Sequence, residues 1–557
     1  MRRLGAPAGS CAAYQSLRAL LPRRLCCTRP AAPRATGRGL AARADARPRT
    51  PLSPERAAAL AALVPADVPH VAIPEGYSKR ALALHVGYLG GSFRGNASNP
   101  SLPRGETVDD VLEDALFRAG HVLRTNYRSP GLSRLHWSRS SRTDKGVSST
   151  ATFVSCRLEA PPEAWAHDAA GGPLVERLNA QLPPHVRCFA ALPVPRSFCA
   201  RRSCISRAYH YLLPLRALTA ATPAAGEVVG AAGPPPSQAD AALVAQRLAA
   251  LDAALRSFEG THAFHNFTKR SRYAPPPGAN VGVRQGAGAE EGLGDDDDDA
   301  DAADDEDDAP PAGNSKASPA DGGGGAAWAA PPDVVGTYEP GGMYWLTAPP
   351  EAGGDRLGPS HFRTVLRCRA GAAPEALRLP GGGDGEPFVR ISVEGESFML
   401  HQIRKMVGTA LAVARGTLPA AFIPAALAKP CRTRTPVAPA ATLVLSGATF
   451  MPFRPDTHKA QAEEGAAPPQ QRSLASPAHV ADAVDEWSAQ QLLPSLAPAL
   501  ASPEWEEFLR NLGTACPPAA DVAAVLGAAQ AWHARPQPSP EQREQRREFR
   551  KEQRARR

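Results

Sequence analysis

Residues 387–416 read PFVRISVEGESFMLHQIRKMVGTALAVARG. The first nine alternate apolar and polar side chains, the period of a strand with one face on a core. From His401 the period changes: Leu400, Ile403 and Val407 fall on one apolar line with Arg404 beside it, which predicts a helix with Lys405 as its solvent-facing neighbour. The same change of period recurs along the chain. RALALHVGYL (80–89) reads as a buried strand before the Gly-rich turn GGSFRGN. TVDDVLEDALFRAG (107–120) then reads as a helix capped by Thr107, with two Asp in its first turn and Gly120 at its end. Further strands are expected at Val147–Arg157, CFAALPVP, RAYHYLLPL and FRTVLRCRA, with a last one closing TPVAPAATLVLSGATF. Helices are expected in LVERLNAQLPP and ALVAQRLAALDAALRSF. This alternation implies an α/β (α+β) fold: two similar halves, each a sheet with helices on one side, and a central cleft between them.

Composition divides the 557 residues further. Residues 1–78 read as a disordered N-terminus. Its first 44 residues hold nine Arg and no Asp or Glu, the pattern of an organellar transit peptide, so a mitochondrial or chloroplast location is expected, with the nucleus as alternative. The N-terminal half covers 79–216, and the C-terminal half 238–273 and 336–455. Between its two pieces lies a low-complexity insertion, 274–335, with eleven acidic residues from Asp295 to Asp308, which cannot bury enough apolar surface to order itself. Residues 456–557 read as a peripheral extension ending in a tail of eight basic and four acidic side chains over 541–557. The net charge is +8 despite the acidic run, which suits a polyanionic partner. Ten cysteines without a CxxC pair argue for reduced thiols rather than a disulfide framework or zinc site, and no apolar run is long enough to span a bilayer.

Four segments carry the chemistry: SRTDKGV (141–147), FCARRSCISRAYHYLL (198–213), FEGTHAFHNFT (258–268) and GESFMLHQIRKMVG (395–408). Asp144 is a carboxylate in an Arg-rich loop, and elsewhere such an Asp would simply cap its own turn. His262 and His265 stand at i, i+3 without a third ligand, so no metal is expected there. That segment reads instead as a turn packed by Phe258, Phe264 and Phe267, with Asn266 and Thr268 beside the cleft. The HxE and CxxC pair of a zinc deaminase is absent.

In wording and order these segments resemble the TruA-type pseudouridine synthases, and the last is most similar to the eukaryotic multi-site tRNA branch. The likeness covers about 80–273 and 357–452. It implies isomerisation of uridine to pseudouridine in tRNA, other structured RNAs being left open, with no cofactor and no membrane. Asp144 would be the catalytic carboxylate, Arg404 the cation that keeps it charged, and Tyr209 the active-site aromatic. Tyr211 points the same way in a strand, so the choice of Tyr209 rests on the resemblance alone. Arg142 would hold the target base out of its helix or contact a phosphate. Arg139, Lys145, Arg201 and Arg207 are expected to contact RNA, through loops 127–145 and 201–207. One departure stands out: after Phe93 and Gly95, Ala97 occupies the place where the family carries Gln. The rival readings are a non-catalytic RNA-binding protein on the same fold and a uracil glycosylase. Monomer and dimer are both compatible with the resemblance.

Overall fold

The computed structural model describes residues 73–128, 131–161, 163–220, 238–269, 334–337, 342–347, 357–377, 385–453 and 472–534, with the isolated positions 545 and 548. The expected transit peptide, the acidic insertion and nearly all of the basic tail lie outside the described residues.

Its centre is a nine-stranded mixed sheet. The strands are β1 (Ser78–Tyr88), β2 (Ser138–Arg139), β3 (Ser148–Ala160), β4 (Val186–Pro193), β5 (Cys204–Pro214), β6 (Gly260–Ala263), β9 (Phe362–Ala370), β10 (Phe388–Gly395) and β12 (Leu443–Phe450). They lie in the order β4-β1-β3-β12-β5-β10-β9-β6, with β2 paired to β3. A separate small sheet runs β11 (Cys431–Thr433), β8 (Met343–Leu346), β7 (Val334–Gly336). The two halves therefore meet in one continuous sheet rather than facing each other as two. The last strand closes it: β12 pairs parallel with β3 and antiparallel with β5, so a strand from the C-terminal half is inserted between two strands of the N-terminal half.

Alternation along the strands sorts residues to two faces. On one face Leu82, Leu84, Val86 and Tyr88 of β1 form a core with Val108, Leu112 and Leu116 of α1 (Val108–Arg118) and Leu174 and Leu178 of α2 (Gly172–Asn179). α1 starts where the sequence implies, the Thr107 hydroxyl accepting the Asp110 N–H, and stops at Gly120 with φ 77°. On the same side of the second half, α3 (Gln238–Arg256) and α4 (Gln402–Ala414) bury Leu251, Leu255, Met406 and Leu411 against Tyr211, Ile391 and Val393. Each such side chain contributes about 1.5–3 kcal/mol by leaving water.

Residues after 456 were expected to be peripheral, and here the structure corrects the sequence reading. From Leu474 the chain covers the other face of the sheet. Val480 and Trp487 of α5 (Ala478–Trp487) and Leu496 and Leu500 of α6 (Leu493–Leu500) pack on Phe153, Phe189, Phe388 and Phe450. α7 (Glu504–Ala515) and α8 (Ala519–His533) then join the first core through Trp505, Leu509, Val522 and Val525. The helices thus lie on both faces, not one. The reason is apolar alternation on both sides of β1, β3 and β4, which leaves Ala83, Phe153 and Phe189 in need of cover. Among the described residues no single helix is long and apolar enough to cross a membrane.

Candidate active site

The loop between β2 and β3 carries Asp144. Its turn is closed by the Val147 N–H donating to the Asp144 carbonyl at 3.1 Å, and Gly146 takes φ 83°, where a side chain would be strained. Gly90, at the end of β1, lies against this turn so closely that a Cβ would stand 2.3 Å from the Val147 carbonyl oxygen. The preceding residues are clamped by Asn96, which is buried. Its Nδ2 donates to the Ser141 carbonyl at 2.9 Å and its Oδ1 accepts the Thr143 N–H at 3.1 Å. The Tyr88 hydroxyl meets the Thr143 hydroxyl at 2.7 Å. Although Ala97 lacks the expected amide, the residue before it does the loop packing.

α4 brings the other groups. Arg404 Nη1 and His401 Nε2 each stand 3.8 Å from the same oxygen, Asp144 Oδ2. The three side chains are 24 % (Asp144), 18 % (Arg404) and 27 % (His401) exposed, enough for a substrate to reach the carboxylate and too little for water to screen the pairing fully. Arg404 is aimed by the loop after β11, its Nε donating to the Ala438 carbonyl at 2.8 Å. That loop approaches because position 408 is Gly; a Cβ there would stand 2.5 Å from the Pro436 carbonyl oxygen. His401 has φ 60°, a left-handed conformation at the helix N-terminus that sets the direction of its side chain.

Tyr209 and Tyr211 part company in the structure. Tyr209 meets Ser141 Oγ at 2.7 Å, three residues from Asp144, and its ring lies edge-on to Phe398 at 5.5 Å. Burial holds its phenol protonated, well above the usual range. Tyr211 is fully buried and donates to the Pro439 carbonyl at 2.7 Å, holding the same loop that aims Arg404. Tyr209 is therefore the tyrosine beside the Asp144 loop, and Tyr211 a support beneath it.

Among the predicted RNA contacts, Arg142, Lys145 and Arg201 are exposed. Two others have internal work that the sequence reading did not assign. Arg139 forms a salt bridge with the buried Asp109 of α1. Arg207 donates to the carbonyls of Ser140, at 3.0 and 2.7 Å, and Glu396, at 2.6 Å, so it ties the Asp144 loop to the end of β10. For Arg207 this is a correction to a phosphate-contacting role, since a guanidinium whose donors are taken by backbone carbonyls presents few outward, whereas Arg139 commits one nitrogen to Asp109. Lys405 is corrected too. It turns inward, donating to the Thr268 carbonyl at 3.0 Å, and burial lowers its pKa to about 8. The 258–268 segment packs as expected, with Phe258, Phe264 and Phe267 fully buried. Its Gly260–Ala263 part pairs as strand β6 with β9. Asn266 donates to the Ala426 carbonyl at 2.8 Å, and Thr268 to the Leu400 carbonyl at 3.1 Å, just before the site helix. His265 bonds carbonyls of Ala263 and Cys431.

The sequence reading missed His401, Phe398 and Asn96 as site residues. The first two lie inside the quoted motif 395–408, but only the fold shows what they face.

The structure thus brings together a carboxylate, an Arg and a His from the helix that faces it, and a buried Tyr beside its loop. Residues 358–451 match the family model described as tRNA pseudouridine synthase. The chain is 23% identical over 377 residues to the Pseudouridylate synthase 1 homolog of Mus musculus, covering 68% of this chain and 62% of the relative. It is 26% identical over 382 residues to tRNA pseudouridine synthase 1 of Candida glabrata, covering 67% and 61%. A shorter stretch of 154 residues, 28% of this chain, is 30% identical to tRNA pseudouridine synthase 1 of Schizosaccharomyces pombe, and spans 26% of that relative. The chain therefore spans less than two thirds of the length of each of these relatives. In motif order, in fold and in these matches the chain is similar to the TruA-type pseudouridine synthases.

Proposed function

We propose that the protein isomerises uridine to pseudouridine in tRNA. The observation that carries this reading is the convergence of Arg404 and His401 on one oxygen of Asp144 at the mouth of a loop whose exposed face bears Arg142 and Lys145. The reaction breaks N1–C1′, turns the uracil and joins C5 to C1′, with no net redox change. One carboxylate suffices, attacking the sugar or base or removing a sugar proton, and it must be ionised to do so. Arg404 favours that anion, since a cation near a partly buried carboxylate stabilises its charged form. Phe398, half-buried and edge-on to the Tyr209 ring behind it, offers an aromatic surface for a flipped base. Arg142, Lys145 and Arg201 provide cations for the phosphates around it.

Release of tritium from C5-labelled uridine in tRNA tests this, with Asp144→Ala beside the parent. Release by the parent alone supports the synthase and its carboxylate. Binding of tRNA without release from either protein favours a non-catalytic RNA-binding role, and free uracil a glycosylase.

The location proposed is an organelle, mitochondrion or chloroplast, on the strength of the acid-free, Arg-rich first 44 residues. A fluorescent fusion lacking them should lose organellar import; unchanged import overturns this.

A further inference from the structure

Whichever role the carboxylate takes, the isomerisation needs a proton acceptor at C5. When C5 joins C1′ it becomes tetrahedral and still carries its hydrogen. Loss of that hydrogen as a proton returns the C–H pair to the ring as C5=C6. The C6=N1 pair moves onto N1, which takes up one proton. Atoms and electrons balance without a co-reactant, provided one group takes the proton at C5 and a proton is delivered at N1. Asp144 is committed to the sugar or the base for the preceding steps.

We propose that His401 is the catalytic residue that accepts the C5 proton through Nε2 and returns one to N1. This rests on the synthase reading above. The geometry selects it. Among the described residues Arg404 and His401 both stand 3.8 Å from the Asp144 carboxylate. A guanidinium cannot be deprotonated, whereas an imidazole both takes and gives a proton near neutral pH. Lys405, one position on from Arg404, is turned away to the Thr268 carbonyl. Tyr209 is the other candidate, yet its hydroxyl is engaged with Ser141 Oγ at 2.7 Å and its ring is buried. Burial disfavours the phenolate it would need to become before accepting a proton. The backbone supports the same assignment. Helix N-caps ordinarily take extended φ and ψ, but His401 sits at φ 60°, ψ 3°. A residue other than Gly held there is a conformation that fixed surroundings must enforce, and such positions concentrate at functional sites. Here it aims the imidazole at the carboxylate instead of leaving the ring to cap the helix, since no side-chain cap bond is made.

The test uses the full chain and tRNA carrying uridine with either hydrogen or deuterium at C5, in single turnovers. His401→Asn keeps a residue that tolerates the left-handed conformation but removes the base; His401→Gly does the same and leaves room for free imidazole. Both should bind tRNA as the parent does and react about 10²–10⁴-fold more slowly. Both should also show a primary isotope effect at C5 larger than the parent's, and added imidazole should restore part of the rate to His401→Gly. A parent-like rate in His401→Asn overturns the proposal. So does a slowed rate with no isotope effect and no imidazole rescue, the signature of a purely structural role. A new isotope effect in Tyr209→Phe but not in the His401 variants would give the proton to the tyrosine. If the parent itself fails to form pseudouridine, the synthase reading falls, and this assignment with it.

Discussion

Arg404 and Ala438 are joined twice: the guanidinium Nε donates to the Ala438 carbonyl at 2.8 Å, and the Ala438 N–H donates to the Arg404 carbonyl at 3.2 Å. The double link fixes both the backbone and the head group of the residue that faces Asp144. An ammonium on a flexible stem cannot reproduce a planar fork held at one nitrogen and aimed with another. Arg404→Lys should therefore lower the single-turnover rate by about a hundredfold while leaving tRNA affinity nearly unchanged in a filter-binding assay.

Asn96 clamps the loop on the other side of the carboxylate, and removing its amide leaves the Ser141 carbonyl and Thr143 N–H without their partner. Asn96→Ala should cost about 2 kcal/mol in urea unfolding. The larger effect is expected on kcat rather than KM, because the loop carrying Asp144 loses its fixed position.

Trp505 is fully buried, edge-on to Tyr211 at 6.1 Å. Trp505→Ala should cost about 3–5 kcal/mol. A chain ended at residue 471 should be insoluble on expression, since it uncovers Phe153, Phe189 and Phe388 on the back of the sheet. A soluble, active truncation would show the extension to be dispensable.

Acid should destabilise the protein through two histidines. Burial lowers the pKa of His85, which bonds Ser476 and the Thr150 carbonyl, and of His121 to about 4. Between pH 6.5 and 4 the unfolded chain binds protons that the folded one refuses. The stability these groups confer is complete above 6.5 and is lost as pH falls toward 4, on the order of 3 kcal/mol for each. Urea midpoints at pH 7, 6 and 5 should fall in step, and a flat profile would contradict the burial of both rings.

Two arginines in one stretch should behave differently. Arg201 is exposed, so Arg201→Ala should weaken tRNA binding and reduce the salt slope by about one. Arg207 bonds carbonyls of Ser140 and Glu396, so Arg207→Ala should lower stability and turnover with little change in that slope.

Much of this protein was legible before folding. Strand β9 falls on the residues expected, and the Thr107 cap and Gly120 stop delimit α1, because period and capping are local properties of a few neighbouring residues. Asp144, Arg404 and Tyr209 could be named from motifs, and the fold brings them to one region. The helices from 478 to 533 were misjudged as peripheral. Their alanine-rich apolar faces give no sign of a partner, and for the helices from 478 to 500 that partner is the far side of the sheet, including Phe153 and Phe189 from much earlier in the chain.

What the sequence determined by itself is the inventory: which segments are strands or helices, which loop holds the carboxylate, and that the chain is basic. Only the tertiary structure decided direction. It turned Lys405 inward, bound Arg139 and Arg207 to internal acceptors, separated Tyr209 from Tyr211, and set His401 against Asp144. The physical reason is that a side chain's partner is chosen by what packs across from it. For β12 closing between β3 and β5, and for α4 against the 436–439 loop, that neighbour is distant in sequence.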